Sequence, residues 1–181
     1  MEHGVFSGEI LPAPEVTEEA INSYRLLSAD IASGVAVVST RLRGRDYAAT
    51  VSGFFSVSYD PPTLLVSLYA ESRIAEAVVE SGTWALSLLS ARQRGTANWL
   101  ASPGSPLEGL LSQVDYGRGP VTEAAVIEGC IAWFEVRTTS VTTAATHQLV
   151  VGEVVAMGRR ASAEDEADPL VHFASAYAGL R

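Results

Sequence analysis

The sequence predicts a mainly β protein, a closed antiparallel barrel with a few peripheral helices. Three observations carry this. Six short apolar runs of β character follow one another, turn-forming residues separate them, and the helical patterns between them are short. Laid out flat, so many strands would expose long unpaired edges, and closure into a barrel removes those edges.

Residues 1–16, with Pro12 and Pro14, read as a flexible extension. Thr17 stands where it can cap a helix, and Glu18 and Glu19 suit the positive end of its dipole. Ile21, Tyr24, Leu27 or Ser28, and Ile31 then fall on one face before Gly34 ends the pattern. The period next changes to β-type runs: "VAVVST" at 35–40, "YAATVSGFFSVS" at 47–58, "TLLVSLY" at 63–69, "WALSLLS" at 84–90, "CIAWFEVRTTSV" at 130–141 and "HQLVVGEVVAM" at 147–157. Gly44 in "LRGRDY" supplies the hairpin residue that makes the first two runs antiparallel neighbours, and Arg41, Arg43 and Arg45 around it read as a solvated tip. Helices are expected at 71–81, where Ile74, Ala77 and Val78 recur at i, i+3 and i+4, and at 92–101, which carries the unfavourable Gly95. "SPGSPLEG" at 102–109 is a loop, and the acidic "ASAEDEADP" at 161–169 an exposed connection. The barrel domain is therefore expected over 17–160, with 161–181 as the acidic connection and a C-terminal segment packing on it.

The chain has 181 residues, 48% of them hydrophobic and 18% charged, enough to bury a core of roughly 70% of its unfolded surface. A formal net charge of −9 argues against nucleic acid or an anionic membrane as partner. All twelve basic residues are Arg and none is Lys, which excludes lysine Schiff-base chemistry. The apolar runs are too short to span a bilayer, no leader-type segment opens the chain, and the lone Cys130 has no internal disulfide partner. A cytoplasmic location is the expectation, with Cys130 an inert core thiol.

Neither "GxGxxG" nor "GxxxxGK" is present, and His3, His147 and His172 with Cys130 show no zinc-type spacing. No "GxSxG" occurs either. The stretch "TVSGFFSVSYDPP" at 50–62 is more informative. Val51, Phe55, Val57 and Tyr59 share one parity, while Thr50, Ser52, Ser56 and Ser58 form a row of short hydroxyls on the other. Read from the residues alone, that row either faces water or lines a ligand site.

Taken in order, "SGVAVVST", "ATVSGFFSVSYDPPTLLVSL", "ESR", "WALSLL" and "HQLVVGEVV" resemble the flavin reductase family, which implies the FMN-binding split β-barrel, antiparallel and of Greek-key type. The family supplies reduced flavin to two-component monooxygenases. The resemblance implies that Thr50, Val51, Ser52, Ser56 and Val57 border the flavin, FMN or FAD, with Ser67, Leu68 and Tyr69 on the next strand. It further implies that Ser72 and Arg73, at the start of the 71–81 helix, hold the flavin phosphate, as a helix N-terminus and a guanidinium together suit an anion. His147 stands where relatives place a histidine that helps bind NADH or NADPH. A homodimer and a separate flavin-dependent oxygenase complete the implied partners.

Two departures set the alternative, a flavin-binding split-barrel protein without NAD(P)H reductase activity. Near the end, "LVHFASAYAGLR" keeps His172 and Tyr177 but has Ala176 where relatives commonly carry Arg, and Gly53 replaces a frequent polar residue. Tyr69, Trp84, Trp99 and Trp133 are assigned first to core or subunit interface, as large amphipathic rings usually are.

Overall fold

A computed structural model describes residues 17–102, 109–159 and 168–180. The expected N-terminal extension, most of the 102–109 loop and nearly all of the acidic connection lie outside them. In chain order the elements are α1 (Glu18–Ser28), β1 (Ser33–Gly34), β2 (Ala36–Leu42), β3 (Arg45–Val51), β4 (Phe54–Tyr59), β5 (Pro62–Tyr69), α2 (Arg73–Ser81) and β6 (Thr83–Leu88). There follow a 3₁₀ turn (Ala91–Gln93), α3 (Arg94–Ala101), β7 (Tyr116–Arg118), β8 (Ala125–Ile127), β9 (Ala132–Ala144), β10 (His147–Arg159), β11 (Val171–Phe173) and β12 (Ala176–Ala178).

Seven strands form one antiparallel sheet in the order β3-β2-β6-β9-β10-β5-β4. Its inner face holds the main core, with Trp84, Leu86, Val66, Val136 and Val150 essentially without solvent contact. β2 is buried on both faces, which explains its unbroken apolar run. Ala36 and Val38 pack into the barrel, while Val35 and Val37 pack outward into a second core with Leu89, Leu100, Ile127 and Leu170. The second core anchors α3 and the β7–β8 ribbon. The C-terminal strands pair with β1 as a small three-stranded sheet, and Tyr177 packs on the same core.

Local signals act as their chemistry dictates. The β2–β3 hairpin turns through Arg43 (φ 51°) and Gly44 (φ 78°), the two left-handed residues that a type I′ turn requires. The Thr17 hydroxyl accepts from the Ala20 N–H at 3.2 Å, and the Ser72 hydroxyl caps α2 in the same way through Ala75. Ile74, Ala75, Ala77 and Val78 bury the inner face of α2. Trp84 is core, and Trp99 and Trp133 are partly buried.

Three expectations are corrected. α1 ends at Ser28, capped at Ala29, and Gly34 lies in β1 instead. Its apolar face has no partner among the described residues: Tyr24 is 72% exposed and Leu27 60%. The long run at 47–58 is two strands, because Ser52 and Gly53 carry the chain from the β2 side of the sheet to the β5 side. The alternation is reset there, so Phe54 packs on the core while Phe55, Val57 and Tyr59 face out. Cys130 is buried as expected, but in the turn before β9, and burial pushes its thiol above the ordinary value. Among the described residues no helix is long and apolar enough to cross a membrane, and no group of metal-ligating side chains occurs.

Candidate functional site

β3 and β4 follow each other in the chain yet lie at opposite ends of the seven-stranded sheet. The Ser52–Gly53 link therefore joins the two ends and leaves the barrel open between β3 and β5. One backbone hydrogen bond pins the link, from Ser67 N–H to the Gly53 carbonyl at 2.7 Å. A Cβ on Gly53 would stand 3.2 Å from that of Ser67, so glycine permits the close approach of link and strand.

Along this gap runs a cleft of about 680 Å³, within the range of roughly 300–1,000 Å³ typical of small-molecule sites. One wall is β3 and the link, with Thr50, Val51 and Ser52. Facing it is the end of β5, with Ser67, Leu68 and Tyr69, and the start of α2 with Ser72 and Arg73. His147, first residue of β10, closes the rim. Nine of the eleven residues expected at the site are thus brought together. Ser56 and Val57 are not: both are exposed on β4 and outside the cleft, and Ser56 pairs with Leu64, three residues and about 10 Å along β5 from Ser67.

The polar groups of the cleft divide into engaged and free. Thr50 Oγ1 donates to the Ala97 carbonyl at 2.8 Å and ties β3 to α3. Ser72 Oγ donates to the Tyr69 carbonyl at 2.6 Å while capping Ala75, so its proton is committed to the fold and not to a ligand. By contrast Ser52 and Ser67 hydroxyls and the Arg73 guanidinium have no hydrogen-bond or ion-pair partner among the described residues. The backbone N–H groups of Arg73 and Ile74, in the first turn of α2, have no helical partner and stand at the positive end of the dipole. Two kinds of anion-attracting group, the guanidinium and the free N–H groups, meet at the α2 end of the cleft.

At the rim, Tyr69 and His147 are register partners of β5 and β10, with ring centroids 5.9 Å apart and planes at 68°. The Tyr69 hydroxyl donates to Glu71 Oε2 at 2.9 Å, and that carboxylate holds the phenol above its usual value. His147 Nδ1 lies 3.0 Å from Thr146 Oγ1, which orients the ring and leaves Nε2 open among the described residues. Sequence reasoning missed Tyr47, Leu100 and Leu110, which complete the apolar lining. No local motif marks them; Leu110 arrives through Trp99, whose Nε1 donates to the Leu110 carbonyl at 2.8 Å.

Comparison with known proteins decides the family. The flavin reductase like domain matches residues 27–181. The chain belongs to that family. The protein named "Probable flavin reductase" of Rhizobium meliloti (strain 1021) is 33% identical over 126 residues, which are 69% of this chain and 39% of that one. "FMN reductase (NADH) RutF" of Stutzerimonas stutzeri (strain A1501) is 29% identical over 168 residues, 93% of this chain and 91% of its own. Among solved structures, BorF, the flavin reductase component of a bacterial two-component tryptophan halogenase, superposes with a TM-score of 0.81 at 29% identity, over 88% of this chain and 98% of the other.

Proposed function

We propose that the chain is an NADH-dependent flavin reductase whose cleft between β3 and β5 holds FMN or FAD, and that it hands reduced flavin to a separate oxygenase. The observation that carries this is the anion site at the start of α2, set at the end of a half-apolar cleft in a protein of this family. The residues present fit a flavin. A flat ring system suits the wall of Val51, Leu68 and the close-packed link at Gly53, the Ser52 and Ser67 hydroxyls are free to meet its polar edge, and Arg73 with the two N–H groups suits the phosphate. When bound, flavin supplies the hydride-accepting chemistry. The chain's own part is to orient the two rings and exclude water, and hydride transfer needs no strong acid or base from it. In this reading His147 positions the nicotinamide donor, and its bracing by Thr146 and Tyr69 supports that role.

A homodimer belongs to the same reading. α1 exposes Ile21, Tyr24 and Leu27, and β4 exposes Phe55, Val57 and Tyr59 at 47–92% of their surfaces. A second copy covering these faces would remove an apolar surface that a monomer would leave in water. A cytoplasmic setting is also part of the reading, supported by the single buried Cys130. The test is NADH oxidation with FMN and with FAD, followed at the nicotinamide absorbance band. Flavin-dependent turnover is expected; tight flavin binding without turnover would instead favour the non-reducing alternative that Ala176 suggests.

A further inference from the structure

Glu71 is an unexpected residue beside an anion site. It precedes Ser72, the cap of α2, and stands just ahead of Arg73, with the extended backbone of Ser72 (φ −82°, ψ 145°) between them. Residues on either side of an extended one share a face, so the chain sets the Glu71 carboxylate on the side of the Arg73 guanidinium. The dipole of α2 and that guanidinium attract a carboxylate as they attract a phosphate. Yet Arg73 has no ion pair among the described residues, and Tyr69, Ser72 and Arg73 line the cleft while Glu71, between them, does not. Glu76 and Glu80, with Arg45, line a neighbouring cavity of about 540 Å³ that Arg73 also borders, and Glu80 is paired with Arg43.

A local turn holds Glu71 away. The Ser72 N–H donates to the Tyr69 carbonyl at 3.0 Å, closing a β-turn with Glu71 at its third position, and the Ala70 N–H ties that turn to the Thr146 carbonyl at 2.9 Å. There Glu71 Oε2 accepts the Tyr69 hydroxyl at 2.9 Å. The carboxylate in turn raises the phenol above its ordinary value, so the hydroxyl remains a donor. Resting on the flavin reading above, we infer that Tyr69 is a positioning residue for the phosphate site: its hydroxyl holds Glu71 out of the cleft and so keeps Arg73 free for the flavin phosphate. It acts through Glu71 and not on the phosphate itself. Without the hydroxyl, Glu71 turns to Arg73, and its charge competes with the incoming anion and repels it. The edge-on contact of the Tyr69 ring with His147, at 5.9 Å between centroids, is a separate one that phenylalanine keeps.

The test is a double-mutant cycle in the full chain. Tyr69→Phe, Glu71→Gln and the double variant are titrated with FMN and with riboflavin, which lacks the phosphate, through flavin fluorescence. Tyr69→Phe is expected to raise the FMN dissociation constant about three- to fivefold, the upper range for an exposed ion pair, and to leave that of riboflavin unchanged. Adding Glu71→Gln to Tyr69→Phe should restore wild-type affinity for FMN, because the competing charge is gone. A loss that Glu71→Gln does not restore would mean that the hydroxyl meets the flavin directly, and would overturn the inference. So would FMN binding that Tyr69→Phe leaves unchanged, or an equal loss for riboflavin, which would lay the effect on the ring or the fold. In each of these cases wild-type protein still binds FMN and the flavin reading stands. Failure of the wild type to bind FMN overturns that reading as well.

Discussion

Replacing Arg73 by Ala tests the anion site directly. The guanidinium is exposed and carries no ion pair among the described residues, so its removal leaves no buried charge behind and the fold should not suffer. Two unit charges about 4 Å apart interact by about 1 kcal/mol in bulk water and about 4 kcal/mol near a protein surface. An exposed arginine belongs toward the lower end, and about 1.5 kcal/mol is a fair value, the lower limit for a hydrogen bond to a charged group. That corresponds to a rise of about tenfold in the FMN dissociation constant. FMN should still bind, because the N–H groups of Arg73 and Ile74 survive the substitution. Titration of FMN and of riboflavin, which lacks the phosphate, into wild type and Arg73→Ala provides the assay. Riboflavin affinity should be unchanged, and raised salt should narrow the FMN difference. An equal loss for both flavins would refute the phosphate assignment, since Arg73 would then be acting on the ring or on the fold.

His147→Ala is expected to raise KM for NADH and lower the rate of flavin reduction while the flavin dissociation constant stays the same; unchanged stopped-flow traces at limiting and saturating donor would remove His147 from the site. Glu135, fully buried in β9, accepts from Thr122 N–H at 2.6 Å, Thr122 Oγ1 at 2.5 Å and Val121 N–H at 3.2 Å, pinning the loop between β7 and β8. Glu135→Ala should cost about 2–3 kcal/mol and lower Tm by about 5–10 °C, with Glu135→Gln losing less; a Tm within about 1 °C of wild type would contradict the pinning role. Burial raises the Cys130 thiol, so the stability linked to its neutral form is complete below the ordinary thiol value and lost as pH rises through the higher folded value. Iodoacetamide at pH 8 should therefore label it slowly in the folded chain and fast in guanidinium; equal rates would show an open thiol.

Much of the scaffold was legible from short-range chemistry. Thr17 acts as a cap, Gly44 turns the first hairpin, and Ile74, Ala77 and Val78 mark the buried side of α2. The serine-rich stretch was legible only in its first half. Thr50, Val51 and Ser52 reach the cleft, but Phe55, Val57 and Tyr59, grouped with Val51 by parity, turn outward after the link. Period-2 alternation holds within one strand and carries no information across a break, and nothing local announced that Ser52 and Gly53 would be one.

The sequence by itself determined where the strands of the main sheet and the three helices lie, apart from the break at Ser52 and Gly53, and the Thr17 cap and Gly44 turn. These depend on forces acting over a few residues, so a window of sequence contains their causes. Only the tertiary structure decided which hydroxyls are free. Thr50 and Ser72 spend their protons on Ala97 and Tyr69, whereas Ser52 and Ser67 do not. It also set His147 beside Tyr69, brought Leu110 to the cleft through Trp99, and joined Arg45 to Arg73 across the shared wall of two cavities. Each of these depends on tertiary pairing and packing, of β10 on β5, of Trp99 on the chain at Leu110 and of the hairpin beside α2, which no local pattern encodes.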